Sequence, residues 1–175
     1  PPVGCVLVQD DVIVGEGYHK LAGLGHAEAN ALSNAGEAAL GATAYVTLEP
    51  CSFVGRTPSC AQSLLTAGVR RVVVAMLDPD PRNSGNGVKI LLDAGIEVVT
   101  SMMASSGRAL IAGHVKRYEQ GLPFTRLKLA MSLDGKTALA SGESKWITSP
   151  DARRDVQLLR ARSSAIITGV QTVID

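Results

Sequence analysis

His26-Ala27-Glu28, Pro50-Cys51 and, after eight intervening residues, Cys60 are the positions whose types and spacing could do chemistry. One imidazole and two thiolates suit Zn²⁺ and leave the fourth tetrahedral position to water, which separates a catalytic site from a closed structural one. Such an ion lowers the pKa of a bound water to roughly 7. Glu28, two positions after the histidine at a helix start, can take the proton of that water and pass it to a ring nitrogen and then to a departing amine. An H-x-E motif followed by Pro-Cys is the arrangement of zinc nucleobase deaminases, so the chemistry indicated is hydrolytic removal of an amino group from a nitrogen-containing ring. Taken singly the residues have plainer readings, since a lone cysteine is usually a small buried hydrophobe and a lone histidine a satisfied polar group. A closed structural site would need a fourth protein ligand, and His19 and His114 are the only spare histidines.

Strand ends and helix starts must position these groups. Val3 to Val8 and Val12 to Tyr18 read as a hairpin turning at Gln9-Asp10-Asp11, and His26 to Ala39 as a helix whose last turn is weakened by Gly36. Ala44 to Leu48 is a buried strand ending at Glu49-Pro50-Cys51, where open α/β sheets carry their ligands. Thr57 before Pro58 predicts a helix N-cap, with the helix running to Ala67 and stopping at Gly68. Both cysteines are then expected near a helix N-terminus, where the dipole favours thiolate. Val69 to Leu77 reads as a strand covered on both faces, followed by a loop from Asp78 to Asn86, a helix ending at Ala94-Gly95 and a strand from Ile96 to Thr100. Strands alternating with helices predict an α/β layer fold with right-handed crossovers. Ser105 to Gln120 reads as one helix broken by Gly121-Leu122-Pro123, the predicted linker. Beyond it we expect a strand from Phe124 to Ala130, a helix from Ser149-Pro150 to Arg162, and a strand from Ala165 to Thr168.

Of 175 residues 46% are hydrophobic, and 17 Lys+Arg face 16 Asp+Glu, which excludes a disordered chain and a supercharged nucleic-acid tail. Aromatic residues are 3% of the chain, too few to stack on many bases, so no nucleic-acid partner is expected. No apolar run approaches the roughly 18 to 20 residues that cross a bilayer, and no signal-peptide pattern opens the chain; the expectation is a cytoplasmic protein with no membrane partner. Three cysteines are not a disulfide framework and fit a metal site or buried thiols. The chain opens on Pro1-Pro2 and stops at Asp175 after an apolar run, which reads as a fragment. Residues 1–107 carry 6 Lys+Arg and 10 Asp+Glu, whereas residues 108–175 carry 11 and 6; this suggests two units, the later one with an anionic ligand or simply a solvated basic helix.

These residues resemble the bifunctional riboflavin-biosynthesis deaminase/reductases. The resemblance is carried by Pro1-Pro2-Val3-Gly4-Cys5-Val6, Gly15-Glu16-Gly17-Tyr18-His19, His26-Ala27-Glu28, the run from Ala42 to Ser52, Gly55-Arg56-Thr57-Pro58, Asp78-Pro79, Gly85-Asn86-Gly87, Ala94-Gly95-Ile96 and Leu127 to Lys136. It implies a cytidine-deaminase-like three-layer α/β/α domain over residues 1–121, then the start of a dihydrofolate-reductase-like α/β domain over residues 122–175. It implies zinc held by His26, Cys51 and Cys60, with Glu28 as catalytic residue. The implied deaminase substrate is 2,5-diamino-6-ribosylamino-4(3H)-pyrimidinone 5′-phosphate, contacted by His19 and Arg56, and an arginine can bind a phosphate bidentately. The second activity would be NADPH-dependent reduction of the ribosyl chain to ribityl. For it, Ala130, Trp146 and Thr172 are implied cofactor contacts, and Ser144, Arg160 and Lys128 reductase-substrate contacts. On sequence grounds alone Trp146 could equally be a core residue, and no G-x-G-x-x-G fingerprint is present. A homo-oligomer is possible. The chain departs from the family at Phe53 and Val54, where two histidines are usual, and at Asp80, an acceptor-only group that would repel a nearby phosphate. Rival readings are a cytosine, guanine or tRNA-adenosine deaminase, and a noncatalytic zinc-stabilised module that binds nucleic acid.

Overall fold

A computed structural model describes residues 1–174, which fall into two compact units, Pro1–Phe124 and a second beginning at Thr125. The first is built on a five-stranded mixed sheet: β1 (Gly4–Gln9), β2 (Val12–Tyr18), β3 (Thr43–Val46), β4 (Arg71–Val74) and β5 (Glu97–Thr100), in the order β2-β1-β3-β4-β5. β1 runs antiparallel to both β2 and β3, whereas β3, β4 and β5 are parallel. The β1–β2 hairpin turns at Asp10 and Asp11, both at positive φ (49° and 60°), a conformation that short acidic side chains tolerate.

The alternation of the strands sets the core. Cys5 and Leu7 of β1, Ala44 and Val46 of β3, and Val72 and Val74 of β4 share one face, buried against α1 (Ala27–Ala35), α2 (Cys60–Thr66) and α3 (Asn86–Asp93) through Ala31, Leu64 and Leu91. A short 3-10 turn, Gly36–Ala39, follows α1. β4 was expected to be buried on both faces, yet it alternates half-buried and buried, and Tyr45 on β3 is exposed. On that opposite side a cavity of about 830 Å³ is lined by Val6, Tyr45, Val73, Met102 and Met103 among others.

Helix α1 lies on β2 with unusual closeness. A Cβ at Gly15 would stand 2.5 Å from the Ala31 carbonyl oxygen, and one at Gly17 would stand 2.4 Å from the Ala31 nitrogen. Only glycine permits this backbone-to-backbone contact.

The predicted helix over 105–120 is two helices, α4 (Ala104–Leu110) and α5 (Ala112–Gln120), broken at Ile111 (φ −116°, ψ 33°). The break lets Ile111 drop into a second apolar cluster with Leu48, Met76 and Val115. Gly121, at positive φ, closes α5 as expected of a C-terminal glycine.

In the second unit, α6 (Pro150–Ala161) starts as its sequence predicts, with Ser149 accepting from the Ala152 N–H at 3.2 Å and Pro150 in the first turn; α7 is Val170–Ile174. The strands expected over 124–130 and 165–168 are not formed, and no strand occurs among the described residues of this unit. Leu127 and Ile167 are largely exposed, because a strand is stabilised only by a ladder partner and a covering face, and neither is present here.

Candidate metal centre and its surrounding loops

His26 occupies the N-cap of α1 with an extended backbone (φ −69°, ψ 167°) and makes no side-chain cap, so its ring is free to face the β3–α2 connection. Cys60 opens α2, and Cys51 lies between β3 and that helix. The Thr57 cap expected from sequence is replaced by Ser59, whose hydroxyl accepts from the Gln62 N–H at 3.3 Å and donates to the Cys51 carbonyl at 2.8 Å. Pro58 therefore precedes the helix, and Ser59 ties the two cysteine segments together. The Cys60 N–H donates to Cys51 Sγ at 3.2 Å, so both sulfurs sit at one helix start, as expected.

The imidazole Nδ1 of His26 stands 3.6 Å from Cys51 Sγ and 3.3 Å from Cys60 Sγ, and all three candidate ligand atoms lie within 4.8 Å of one another. Tetrahedral zinc with sulfur at about 2.3 Å and nitrogen at about 2.0 Å would set its ligands roughly 3.5 to 3.8 Å apart, so the cluster fits that ion with little adjustment. Among the described residues no fourth histidine, cysteine or carboxylate joins the group. Of the spare histidines, His114 Nε2 is 3.0 Å from Asp78 Oδ1, and His19 Nδ1 is 3.2 Å from the Gly25 carbonyl. Cys5 is a core residue whose thiol is pushed up by burial and by the nearby Glu28 carboxylate.

The two thiols are shifted in opposite directions. Cys51 receives a hydrogen bond from the Cys60 side chain and is lowered to about 6, despite its partial burial. Cys60, as the donor and buried, is raised well above the ordinary thiol range. Glu28 is 3% exposed, and burial pushes its carboxyl up to about 7, while a hydrogen bond with Cys60 pulls the other way. A buried carboxyl poised near neutrality beside a three-ligand cluster is suited to accept and return a proton.

The loops around Cys51 are held by groups that sequence reasoning did not single out. Glu49, 3% exposed, accepts three backbone N–H bonds: Oε2 from Asp78 (3.1 Å) and Gly85 (3.0 Å), Oε1 from Val88 (3.1 Å). Asn83, 1% exposed, accepts from the Ser52 N–H at 2.8 Å and donates to the Pro50 carbonyl and to Asp78 Oδ2. A Cβ at Gly87 would fall 1.9 Å from the Pro50 oxygen. An acidic residue closing an apolar strand was the available signal for Glu49; nothing local marked Asn83.

Asp80, a departure from the family that would repel a nearby phosphate, is turned inward. It is buried, accepts from Arg82 Nε and Nη2 and from the Arg82 N–H, and is held well below the ordinary carboxyl range by that guanidinium. Phe53 and Val54 are exposed, and the Arg82 guanidinium sits 5.6 Å from the centre of the Phe53 ring.

His19 lies beside the cluster, its ring edge-on to that of His26 with centroids 5.3 Å apart; Arg56 is exposed on the loop leading to Thr57. In the second unit, Ser144 and Trp146 line a cavity of about 400 Å³ with Ser132, Lys136 and Glu143. Lys128, Ala130, Arg160 and Thr172 do not line it. Trp146 is 72% exposed, with the Arg153 guanidinium 4.3 Å from its ring centre, so it is not a core tryptophan. The 830 Å³ cavity contains none of His26, Cys51 and Cys60, and its walls lack a cluster of reactive groups; size does not identify the reactive site here.

Residues 1–76 match the cytidine and deoxycytidylate deaminase zinc-binding region, and residues 123–175 match the RibD C-terminal domain. The riboflavin biosynthesis proteins RibD of Haemophilus influenzae and Escherichia coli are each 59% identical to the chain over 174 residues, 99% of this chain and 47% of those proteins. The chain is similar to these RibD proteins over almost its whole length. Acinetobacter baumannii RibD superposes with a TM-score of 0.89 at 56% identity, covering 98% of this chain and 48% of that one. A Thermotoga maritima diaminohydroxyphosphoribosylaminopyrimidine deaminase/5-amino-6-(5-phosphoribosylamino)uracil reductase superposes at 0.93 with 39% identity, covering 100% of this chain and 50% of that one. The chain thus spans about half the length of the curated RibD relatives it matches. His26, Glu28, Cys51 and Cys60 lie within the deaminase match, and the second-unit candidates within the RibD C-terminal match. The five-stranded mixed sheet with its helices is the cytidine-deaminase-like α/β fold of the RibD structures. Among the described residues, no helix is long and apolar enough to cross a membrane.

Proposed function

We propose that the first unit is a zinc-dependent deaminase that hydrolyses the 2-amino group of 2,5-diamino-6-ribosylamino-4(3H)-pyrimidinone 5′-phosphate. The observation that carries this reading is the open three-ligand cluster of His26, Cys51 and Cys60 with the buried Glu28 carboxyl beside it. His26 Nδ1 and the two sulfurs would hold the ion. When bound, zinc supplies a Lewis acid that makes water nucleophilic near neutral pH. The Glu28 carboxylate takes the proton of the attacking water, delivers it to the ring nitrogen and helps protonate the departing amine, so that water and the amino-substituted carbon become carbonyl and ammonia. His19, next to the cluster, and the exposed Arg56 are the substrate contacts, Arg56 suiting the 5′-phosphate.

The deaminase domain comprises residues 1–121, and a reductase domain begins at 122; the compact unit ending at Phe124 supports this division. In the reductase, which would use NADPH, Ser144 contacts substrate and Trp146 the cofactor, supported by the cavity they share. Lys128, Ala130, Arg160 and Thr172 take the remaining roles on motif similarity. The partners are phosphorylated pyrimidines rather than nucleic acid, and the setting is the cytoplasm, where thiols stay reduced.

The test is metal analysis together with ammonia release from the diaminopyrimidine phosphate. About one zinc per chain is expected, with Glu28→Gln keeping the metal and losing about 10²- to 10⁴-fold in rate. A metal-free protein with three free thiols, or an undiminished Glu28→Gln rate, would refute the reading. Turnover of cytosine, guanine or tRNA adenosine in its place would change the substrate.

A further inference from the structure

We propose that Thr57 is the positioning residue that fixes His26 in its metal-binding tautomer, the threonine hydroxyl oxygen accepting a hydrogen bond from the Nε2–H. This rests on the zinc reading above and extends it to a residue outside the ligand set. A neutral imidazole can offer the Nδ1 lone pair to a cation only when its proton sits on Nε2, and metal-binding histidines hold that tautomer through a partner on the second nitrogen. Here Nδ1 faces the two sulfurs, and Thr57 Oγ1 stands 3.3 Å from Nε2. The neighbouring groups are engaged elsewhere. His19 directs its Nδ1 to the Gly25 carbonyl, and Glu28 interacts with Cys60.

The local fold explains how the hydroxyl gets there. Ser59 caps α2, so Thr57 is released from the capping role its place before Pro58 suggests. Its carbonyl accepts from the Gly55 N–H at 3.1 Å, closing the turn that aims the side chain at the imidazole. The choice of a hydroxyl has an electrostatic consequence. Two thiolates already balance the charge of a divalent ion, and a carboxylate at this place would add a further negative charge through the ring. A hydroxyl orients the ring and leaves the ion more electrophilic.

The experiment compares Thr57→Val, Thr57→Ala and Thr57→Ser in the 175-residue chain, with zinc affinity measured by chelator competition and the site geometry read from the visible spectrum of the Co²⁺-loaded proteins. Thr57→Val and Thr57→Ala should weaken zinc by about 10- to 100-fold, the range seen for loss of such outer partners, whereas Thr57→Ser should stay within about 3-fold of the parent. Long-range ¹H–¹⁵N spectra of the zinc-loaded parent should show His26 protonated at Nε2, with faster exchange of that proton in Thr57→Val. Far-ultraviolet circular dichroism checks that each variant is folded. Parental affinity and an unchanged Co²⁺ spectrum in folded Thr57→Val would overturn the role of Thr57 while leaving the zinc site intact, as would Thr57→Ser behaving like Thr57→Val. A parent that takes up no zinc would overturn both.

Discussion

Replacing Glu49 by glutamine tests whether the loop from Asp78 to Val88 hangs on a single carboxylate. The two oxygens accept three backbone N–H bonds, two at Oε2 and one at Oε1, with the side chain 3% exposed. An amide has one oxygen. Whichever way it turns, at least one N–H meets an NH₂ group, and the bonds that survive lose their charge assistance. A buried donor left unsatisfied costs about 1 to 3 kcal/mol, and losing charge assistance about 1 kcal/mol for each remaining bond, so Glu49→Gln should destabilise by about 3 to 5 kcal/mol. For a chain of this size each kcal/mol lowers Tm by roughly 2 to 4 °C, which gives a fall of about 10 °C. The assay is thermal unfolding by circular dichroism at pH 7. Glu97→Gln serves as the control, since its ion pair with Arg71 at 3.2 Å is exposed, and it should move Tm by no more than about 2 °C. A Glu49→Gln protein that melts with the control would show that the loop is held by something else.

Gly87→Ala should cost at least about 1 to 3 kcal/mol, because its methyl would overlap the Pro50 carbonyl and push the adjoining Cys51; weaker zinc binding alongside a lowered Tm checks this, and unchanged affinity speaks against it. Gly17→Ala should destabilise by a similar amount through the contact with Ala31 in α1, whereas alanine at Gly142 has open space around it and carries only the penalty of its positive φ; urea midpoints of the two variants compare them. In the metal-free chain the Glu28 carboxyl is raised from 4.5 to about 7, so the folded state holds the proton more tightly than the unfolded state. Its contribution to stability is therefore fully present below pH 4.5 and is lost as pH rises to 7 and beyond, by about 3 kcal/mol. With chelator present, denaturant unfolding should show this downward slope in the parent and not in Glu28→Gln; parallel pH profiles would refute it.

That His26, Cys51 and Cys60 come together with Glu28 beside them was readable in the sequence because a zinc-type site draws on few residue types, which leaves little freedom in pattern. The hairpin, α1 and the parallel strands were readable for a related reason, their periodicities being local. What escaped was set by distant backbone. Glu49 and Asn83 are ordinary letters until the chain folds and brings N–H groups some 30 residues away against them. Thr57 and Ser59 both stand before one helix start, and the cap goes to Ser59, whose hydroxyl also reaches the distant Cys51 carbonyl. Ile111 breaks a helix that propensity would continue, because its burial with Met76 outweighs one turn of hydrogen bonds. In the second unit, residues 124–130 and 165–168 have strand-like composition, but composition supplies no neighbour to pair with.

The glycines of β2 have a mechanical meaning beyond packing. Where a helix rests on a strand through interleaved side chains, rotamer changes can absorb small displacements; at Gly15 and Gly17 backbone meets backbone, and there is no such cushion. The seat of the His26 imidazole is consequently stiff along this direction, and a shift of the hairpin by a few tenths of an ångström would reach His26 almost undiminished.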